Sequence, residues 1–406
     1  MVGRVVARPC TPHLTSALIA CAITCGILFG GRVLAIHLES KTIHETAPRD
    51  FWIKNQGLAF QRAAAHAPDI LLLYGSSELI DPIPNRASDF FSSEPSGFQV
   101  CPVGKGGATS LNILQKLAAL GSDLRGRKIA VWVSPSSFFK PDVKLELYAG
   151  NFSWAAASGT LFGNSLDFEL KSEIARRMLQ FPDTLAKAPL LQLAATSLAS
   201  GEVVDRMVLM AIWPLGKLQN LILDLQDHFA ALVYIFSGDR STIPKRELRR
   251  FELSSHSAPD NTRHRLRELV SPGALSNSGP ELVQTHTLEA RDFNRDAAFR
   301  ARIATANEWT DLELLLRTAA EIGAHPLVVS MPIDTTRDDL RGVSRLGRQV
   351  YYDGMSELAR RYHFPLVQFE DHDGDSTFLI AHREHPTAKG WQYYDRALAD
   401  FFHQSL

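Results

Sequence analysis

The order of apolar and polar positions divides the chain into three regions. Near the amino end, the eighteen positions from Leu14 to Gly31 carry no charge and are rich in Ala, Ile, Leu and Phe. This is long enough for a membrane helix, with Arg32 placed to reach the interface. After a mixed neck with a helical pattern near Ala59–His66, short unbroken apolar runs appear at Asp69–Tyr74, Phe98–Val103 and Lys128–Val133. None of these runs alternates, so each predicts a strand covered on both faces, as in a parallel sheet. From about residue 140 to 300 the strand rhythm stops, and helical spacing gives way to polar sequence. It resumes with a helix at Glu308–Ile322, a strand at His325–Pro332, a helix around Leu346–Tyr362 and a strand at Phe364–Phe369. The last helix carries Trp391, Tyr394, Leu398 and Phe402 on one face. Strand–helix–strand repetition of this kind predicts an α/β fold, a doubly wound parallel sheet with a large helical insertion, preceded by one transmembrane helix. The boundaries are residues 1–40 for tail and anchor and 41–406 for the main domain, with the insertion at about 140–300.

Two alternatives to a retained anchor are weaker. Leu18-Ile19-Ala20-Cys21 has the look of a lipoprotein cleavage box, but the apolar run continues well past Cys21. Val33-Leu34-Ala35 is small enough for a signal-peptidase site, but Arg32 spoils its approach. Basic residues stand on both sides (Arg4 and Arg8; Arg32, Lys41 and Arg49), so charge counting leaves the orientation open; the short amino tail favours the amino end inside.

Within the insertion, Leu218, Leu221, Ile222, Leu225, Phe229, Leu232, Val233 and Phe236 keep helical spacing, with Asp224 and Asp227 opposite. The expectation is a stripe buried against the domain, with contact to a membrane surface or a partner as the second reading, and the two aspartates break what would otherwise pass for a second span. Ser237–Arg300 is polar, and its basic residues, dense from Arg240 to Arg267, suit a solvated loop.

Composition removes several classes. Lys and Arg total 43 against 44 Asp and Glu, which gives no global field for nucleic acid. Cys10, Cys21 and Cys25 lie in or before the anchor, leaving only Cys101 elsewhere, so no disulfide forms within the main domain. No Cys/His cluster has metal-ligand spacing, and no cofactor is indicated. Gly104-Lys105-Gly106-Gly107-Ala108-Thr109-Ser110 is glycine-rich but lacks the closing Gly-Lys-Ser/Thr of a phosphate loop.

Candidate chemistry gathers at strand ends. Gly75-Ser76-Ser77-Glu78 follows the first strand, Gly106-Gly107 the second and Ser134-Pro135 the third, and His385 lies just before the final helix. Open α/β sheets place ligands at that edge. A serine there needs an imidazole to take its proton, and glycine lets backbone N–H groups approach a developing oxyanion. The plain alternative is a turn that uses Gly and Ser for backbone reasons.

The order of these blocks resembles the SGNH hydrolase superfamily. A narrower resemblance, to the DltD family of D-alanyl transfer proteins in teichoic-acid D-alanylation, covers essentially the whole chain. It rests on Gly75-Ser76-Ser77-Glu78, Ser134-Pro135 followed by aromatics and Asn151-Phe152-Ser153. It rests also on Leu170–Gln180 as Leu-x-x-Glu-Ile-x-x-Arg-x-Leu-Gln, on His385-Pro386 and on Gly390-Trp391. The resemblance implies a single-span protein of the cytoplasmic membrane with its domain outside. Its implied partners are a membrane O-acyltransferase, a D-alanyl carrier system and a cell-envelope polymer acceptor. It also implies Ser77 as nucleophile, His385 as base, and the N–H groups of Ser77 and Gly107 as oxyanion donors.

Two departures stand out. The family's acid lies three residues before the histidine, where this chain has His382. Its third block, Ser-Pro-Gln-Trp-Phe, is replaced here by Ser136-Ser137-Phe138 after Ser134-Pro135. Asp371, Asp373 and Asp375, in the loop before His385, are therefore the candidate acids, Asp375 foremost as the nearest. Glu384 is expected to point away. Two other readings stay open: an SGNH esterase or polysaccharide O-acetyltransferase, and a non-catalytic assembly factor.

Overall fold

The computed structural model describes residues 12–49, 51–237, 294–337, 340–381 and 383–405. Five strands form one parallel sheet: β1 (Ile70–Gly75), β2 (Gln99–Gly104), β3 (Lys128–Val133), β4 (His325–Ser330) and β5 (Leu366–Gln368). They lie in the order β2-β1-β3-β4-β5. Strand order reverses between β1 and β3, and the carboxyl ends of the strands open a crevice there, the usual ligand position in a doubly wound sheet. Five of the six β1 side chains are from Ile, Leu and Tyr, and all six residues are buried, as a strand covered by helices on both faces requires.

The α/β expectation is met, with most element bounds within two residues of those read from the pattern. One face is closed by the helices Ser110–Leu120 and Glu308–Ile322, which pack on each other. The other is closed by the last helix, Ala388–His403, whose Trp391 and Tyr394 stack near Trp132 of β3, with ring centroids 5.0 and 4.1 Å away. A two-strand antiparallel ribbon, β6 (Leu379–Ile380) and β7 (His385–Pro386), leads into that helix.

Between β3 and β4 the chain is helical as far as it is described, ending in the 35-residue helix Val203–Ser237 and resuming as helix over 294–304. The basic segment Arg240–Arg267 lies outside the described residues. The amino end forms one long helix, Pro12–Thr46, whose apolar first half is exposed. Its second half packs on Val203–Ser237 through Arg32–Asp224 (2.7 Å) and His228–Glu39 (2.8 Å).

One expectation about Val203–Ser237 fails. Its polar side faces the protein: Asp224 pairs with Arg32 and Arg62, and Asp227 accepts the N–H groups of Leu58 and Ala59. The apolar stripe, including Leu218, Leu221, Phe229 and Phe236, is exposed instead. The helix Pro12–Thr46 and the segment after it present arginines and backbone donors to this helix, and these claim its aspartates.

Candidate active site

The site begins where β1 stops. A Cβ on Gly75 would stand 2.5 Å from Oε1 of Glu78, so a side chain there would displace the turn that follows. Glu78 is buried beneath that turn and accepts the Ser76 N–H at 2.5 Å. Burial raises its pKa, and that N–H donor draws it partly back. Ser77–Leu79 then forms a single 3-10 turn, with the N–H groups of Ile80 and Asp81 returning to the Ser77 carbonyl (3.1 and 3.3 Å). This turn carries Asp81 back beside Ser77.

His385 completes a line of three. Its Nε2 lies 2.9 Å from Ser77 Oγ and its Nδ1 lies 2.5 Å from Asp81 Oδ2. It sits on β7, where Ile380 pairs with it, and Thr387 caps the following helix by accepting the Gly390 N–H (3.1 Å). Gly390 itself is needed for the approach, since a Cβ there would stand 2.3 Å from the Phe378 carbonyl oxygen.

The three aspartates proposed from sequence are engaged elsewhere. Asp371 is exposed and pairs with Arg345. Asp373 is held by the Ile333 N–H (2.8 Å), the Tyr352 hydroxyl and Arg348 Nε (2.8 Å). Asp375 accepts from Thr377 (N–H at 2.8 Å, hydroxyl at 2.7 Å) and meets His372 at 3.0 Å, contacts that pull its pKa down to about 2. With those local partners none turns toward His385, and Asp81 supplies the carboxylate instead. Glu384 does point away, toward Arg337 and Ser134. His382 lies outside the described residues.

The second block differs in detail from its expected role. Gly107 adopts φ +78°, a conformation suited to glycine. Its N–H donates to Ser76 Oγ (2.9 Å), which in turn donates to the Lys105 carbonyl (3.3 Å). The side chain of Ser76 therefore occupies the donor expected to serve an oxyanion. Asn151 clasps the same loop, donating to the carbonyls of Gly106 (3.2 Å) and Leu147 (3.0 Å). Below it, the Ser110 N–H is accepted by Glu308 (3.0 Å), whose pKa is raised by burial and by the nearby Asp311.

These elements enclose a cavity of about 170 Å³. Ser77, His385, Gly107 and Ser134 line it, as do Lys140, Lys144 and Arg383. In the third block Ser134 and Ser136 hydroxyls stand 3.0 Å apart, with no amide side chain between them.

Comparisons with known proteins point to one family. The chain is 27% identical over 392 residues to "Protein DltD" of Bacillus subtilis (strain 168), covering 93% of this chain and 95% of that one. It is 24% identical over 330 residues to "Protein DltD" of Staphylococcus aureus (strain NCTC 8325 / PS 47), covering 80% and 79%. A family model described as "DltD protein" matches residues 52–403, most of the chain and all of the site, and the protein belongs to the DltD family.

Proposed function

We propose that this protein is a membrane-anchored acyl-transfer enzyme that works outside the cytoplasmic membrane. It moves a D-alanyl or similar acyl group onto a hydroxyl of a cell-envelope polymer through Ser77. The observation that carries this reading is the line Asp81–His385–Ser77, with contacts of 2.5 and 2.9 Å, at the sheet's switch point.

In this mechanism His385 Nε2 takes the Ser77 proton as Oγ attacks the acyl carbonyl. Asp81 holds the Nδ1–H and stabilises the imidazolium. The carbonyl oxygen becomes an oxyanion facing the Ser77 N–H. The Gly107 N–H joins as second donor when the oxyanion displaces Ser76 Oγ from it. Collapse breaks the bond to the donor group, which leaves with the proton from Nε2. An acceptor hydroxyl then repeats the sequence in reverse, giving its proton to Nε2 and releasing Ser77. The cavity lining carries charges of both signs, Lys140, Lys144 and Arg383 beside Glu78, Asp142, Glu308 and Glu384, so the acceptor is proposed from family membership and not from charge.

Family membership supports the D-alanylation setting, in which a membrane O-acyltransferase and a D-alanyl carrier system are the partners. The exposed apolar first half of Pro12–Thr46 supports the anchor. The assembly-factor reading draws its strength from a missing acid, and Asp81 removes that motive.

The test is fluorophosphonate labelling of the full chain in membranes, followed by incubation with carrier-bound D-alanine, the O-acyltransferase and the polymer. Covalent label on Ser77 and D-alanine in the polymer support the reading. Transfer of acetyl instead of D-alanyl favours the O-acetyltransferase. An unlabelled Ser77, with D-alanylation surviving Ser77→Ala, would sink the enzymatic reading.

A further inference from the structure

The helix Val203–Ser237 is inside out for a protein surface in water. At about 100° per residue, Met207, Leu218, Leu221, Phe229 and Phe236 fall in one stripe about 80° wide, with Met210 at its edge, in line with the buried His228. All six are exposed, Met210 by 73% and Phe236 by 71%. The charged residues of its second half turn inward, with His228 against Glu39, Asp224 against Arg32 and Asp227 on the neck. A surface helix solvated by water places these groups the other way round, and a contiguous apolar strip of this length marks a non-aqueous neighbour.

What covers the stripe follows from the anchor. Arg32 is the first charge after the uncharged run Leu14–Gly31, and its guanidinium lies 2.7 Å from Asp224. The second helix thus meets the anchor where the anchor leaves its apolar stretch. It cannot turn to cross the membrane, because its inner side is fastened to the domain. Gly216 lies so close to Phe162 that a Cβ would stand 2.2 Å from the ring, and the helix also packs on Pro189–Ser200. An apolar groove of about 500 Å³ opens on the same helix, lined by Phe168, Leu209, Met210 and Trp213, with Arg206 stacked over Phe168 at 4.8 Å.

We infer that Val203–Ser237 lies in the plane of the membrane, its outward stripe sunk into the outer lipid layer beside the anchor. The inference rests on the anchor reading. It adds that the cavity holding Ser77 is held at a fixed height and tilt above the lipid rather than swinging on a single tether, since a second lipid contact removes the freedom that one anchor leaves.

The experiment uses the full chain in phospholipid nanodiscs containing a lipid with a diazirine in its acyl chain. After photolysis, labelled positions are mapped by peptide mass spectrometry and compared with a water-soluble diazirine. The expected result is lipid label at Met207, Met210 and Leu218 several-fold above that at Leu346, an exposed leucine on the opposite part of the sequence. Label in Leu14–Gly31 reports the anchor separately. Lipid label in the anchor, with the stripe reached only by the water-soluble probe, overturns the inference and leaves the anchor standing. Loss of lipid label from both regions overturns both. If the stripe is labelled in nanodiscs but shielded in native membrane vesicles while the anchor stays labelled, a protein covers it and lipid is the wrong occupant.

Discussion

Oδ2 of Asp81 lies 2.5 Å from Nδ1 of His385, across 304 residues of sequence. The carboxylate holds the ring with Nε2 toward Ser77, and in the proposed mechanism its charge favours the imidazolium formed during attack. Asp81→Asn is expected to slow fluorophosphonate labelling of Ser77 by roughly 10^4-fold, close to the effect of His385→Ala. Asp371→Asn and Asp375→Asn are expected to leave the rate near that of the parent protein. A slow Asp375→Asn protein beside a fast Asp81→Asn protein would reverse the assignment.

Ser76 and Ser77 separate cleanly in the same assay. Ser77→Ala is expected to remove labelling and transfer altogether, with folding intact. Ser76→Ala removes an acceptor for the Gly107 N–H and a donor to Lys105. One such hydrogen bond is worth about 1 kcal/mol, so transfer is expected to fall by about tenfold or less, while Ser77 still labels. Abolition of labelling by Ser76→Ala alone would identify it as the nucleophile.

Gly104 ends β2 where the backbone of β1 passes closest. A Cβ there would sit 2.4 Å from the Gly75 carbonyl oxygen, a backbone atom that cannot swing aside. Gly104→Ala is expected to destabilise the protein by roughly 1–3 kcal/mol, through displacement of the turn that carries Ser77. Gly150, where an added Cβ would meet no atom within 4 Å, is the matched control, and Gly150→Ala is expected to leave the urea midpoint nearly unchanged. Equal shifts for the two would refute the crowding argument.

Asp395 is buried in the last helix with neither carboxylate oxygen hydrogen-bonded among the described residues. Burial pushes its pKa up from 3.8 to about 8. The folded chain therefore holds a proton that the unfolded chain releases above about pH 4. Stability from this group is fully present below about pH 4 and is lost progressively as pH rises toward about 8. Asp395→Asn is expected to raise the denaturation midpoint at about pH 8 and leave it almost unchanged at about pH 4. The same shift at both values would show that ionisation is not the cause.

The sheet is legible in the sequence because buried parallel strands leave unbroken apolar runs, and β3 and the helix Glu308–Ile322 fall on the bounds read from pattern. Ser77 and His385 are legible as residues at strand and helix ends, and the structure brings them together. Asp81 is not, because nearness to His385 along the chain points to the wrong aspartates. Its one local signal is Asp81-Pro82, four residues past Ser77, a turn-forming pair. The bond from Gly107 to Ser76 depends on a side-chain rotation that no spacing encodes. For Val203–Ser237 the periodicity identifies the stripe correctly. Periodicity carries no information about which medium a stripe faces, and the outward orientation is set by Arg32, Arg62 and Glu39.

The short turn from Ser77 to Asp81 has a bearing on the protein's synthesis. Two of the three groups emerge together, early, while the imidazole is made 308 residues after the serine. Until β7 is laid down and folded back, the serine hydroxyl has no base and reacts no faster than any other alcohol. A chain still being made thus stays disarmed, unable to acylate itself before the domain closes.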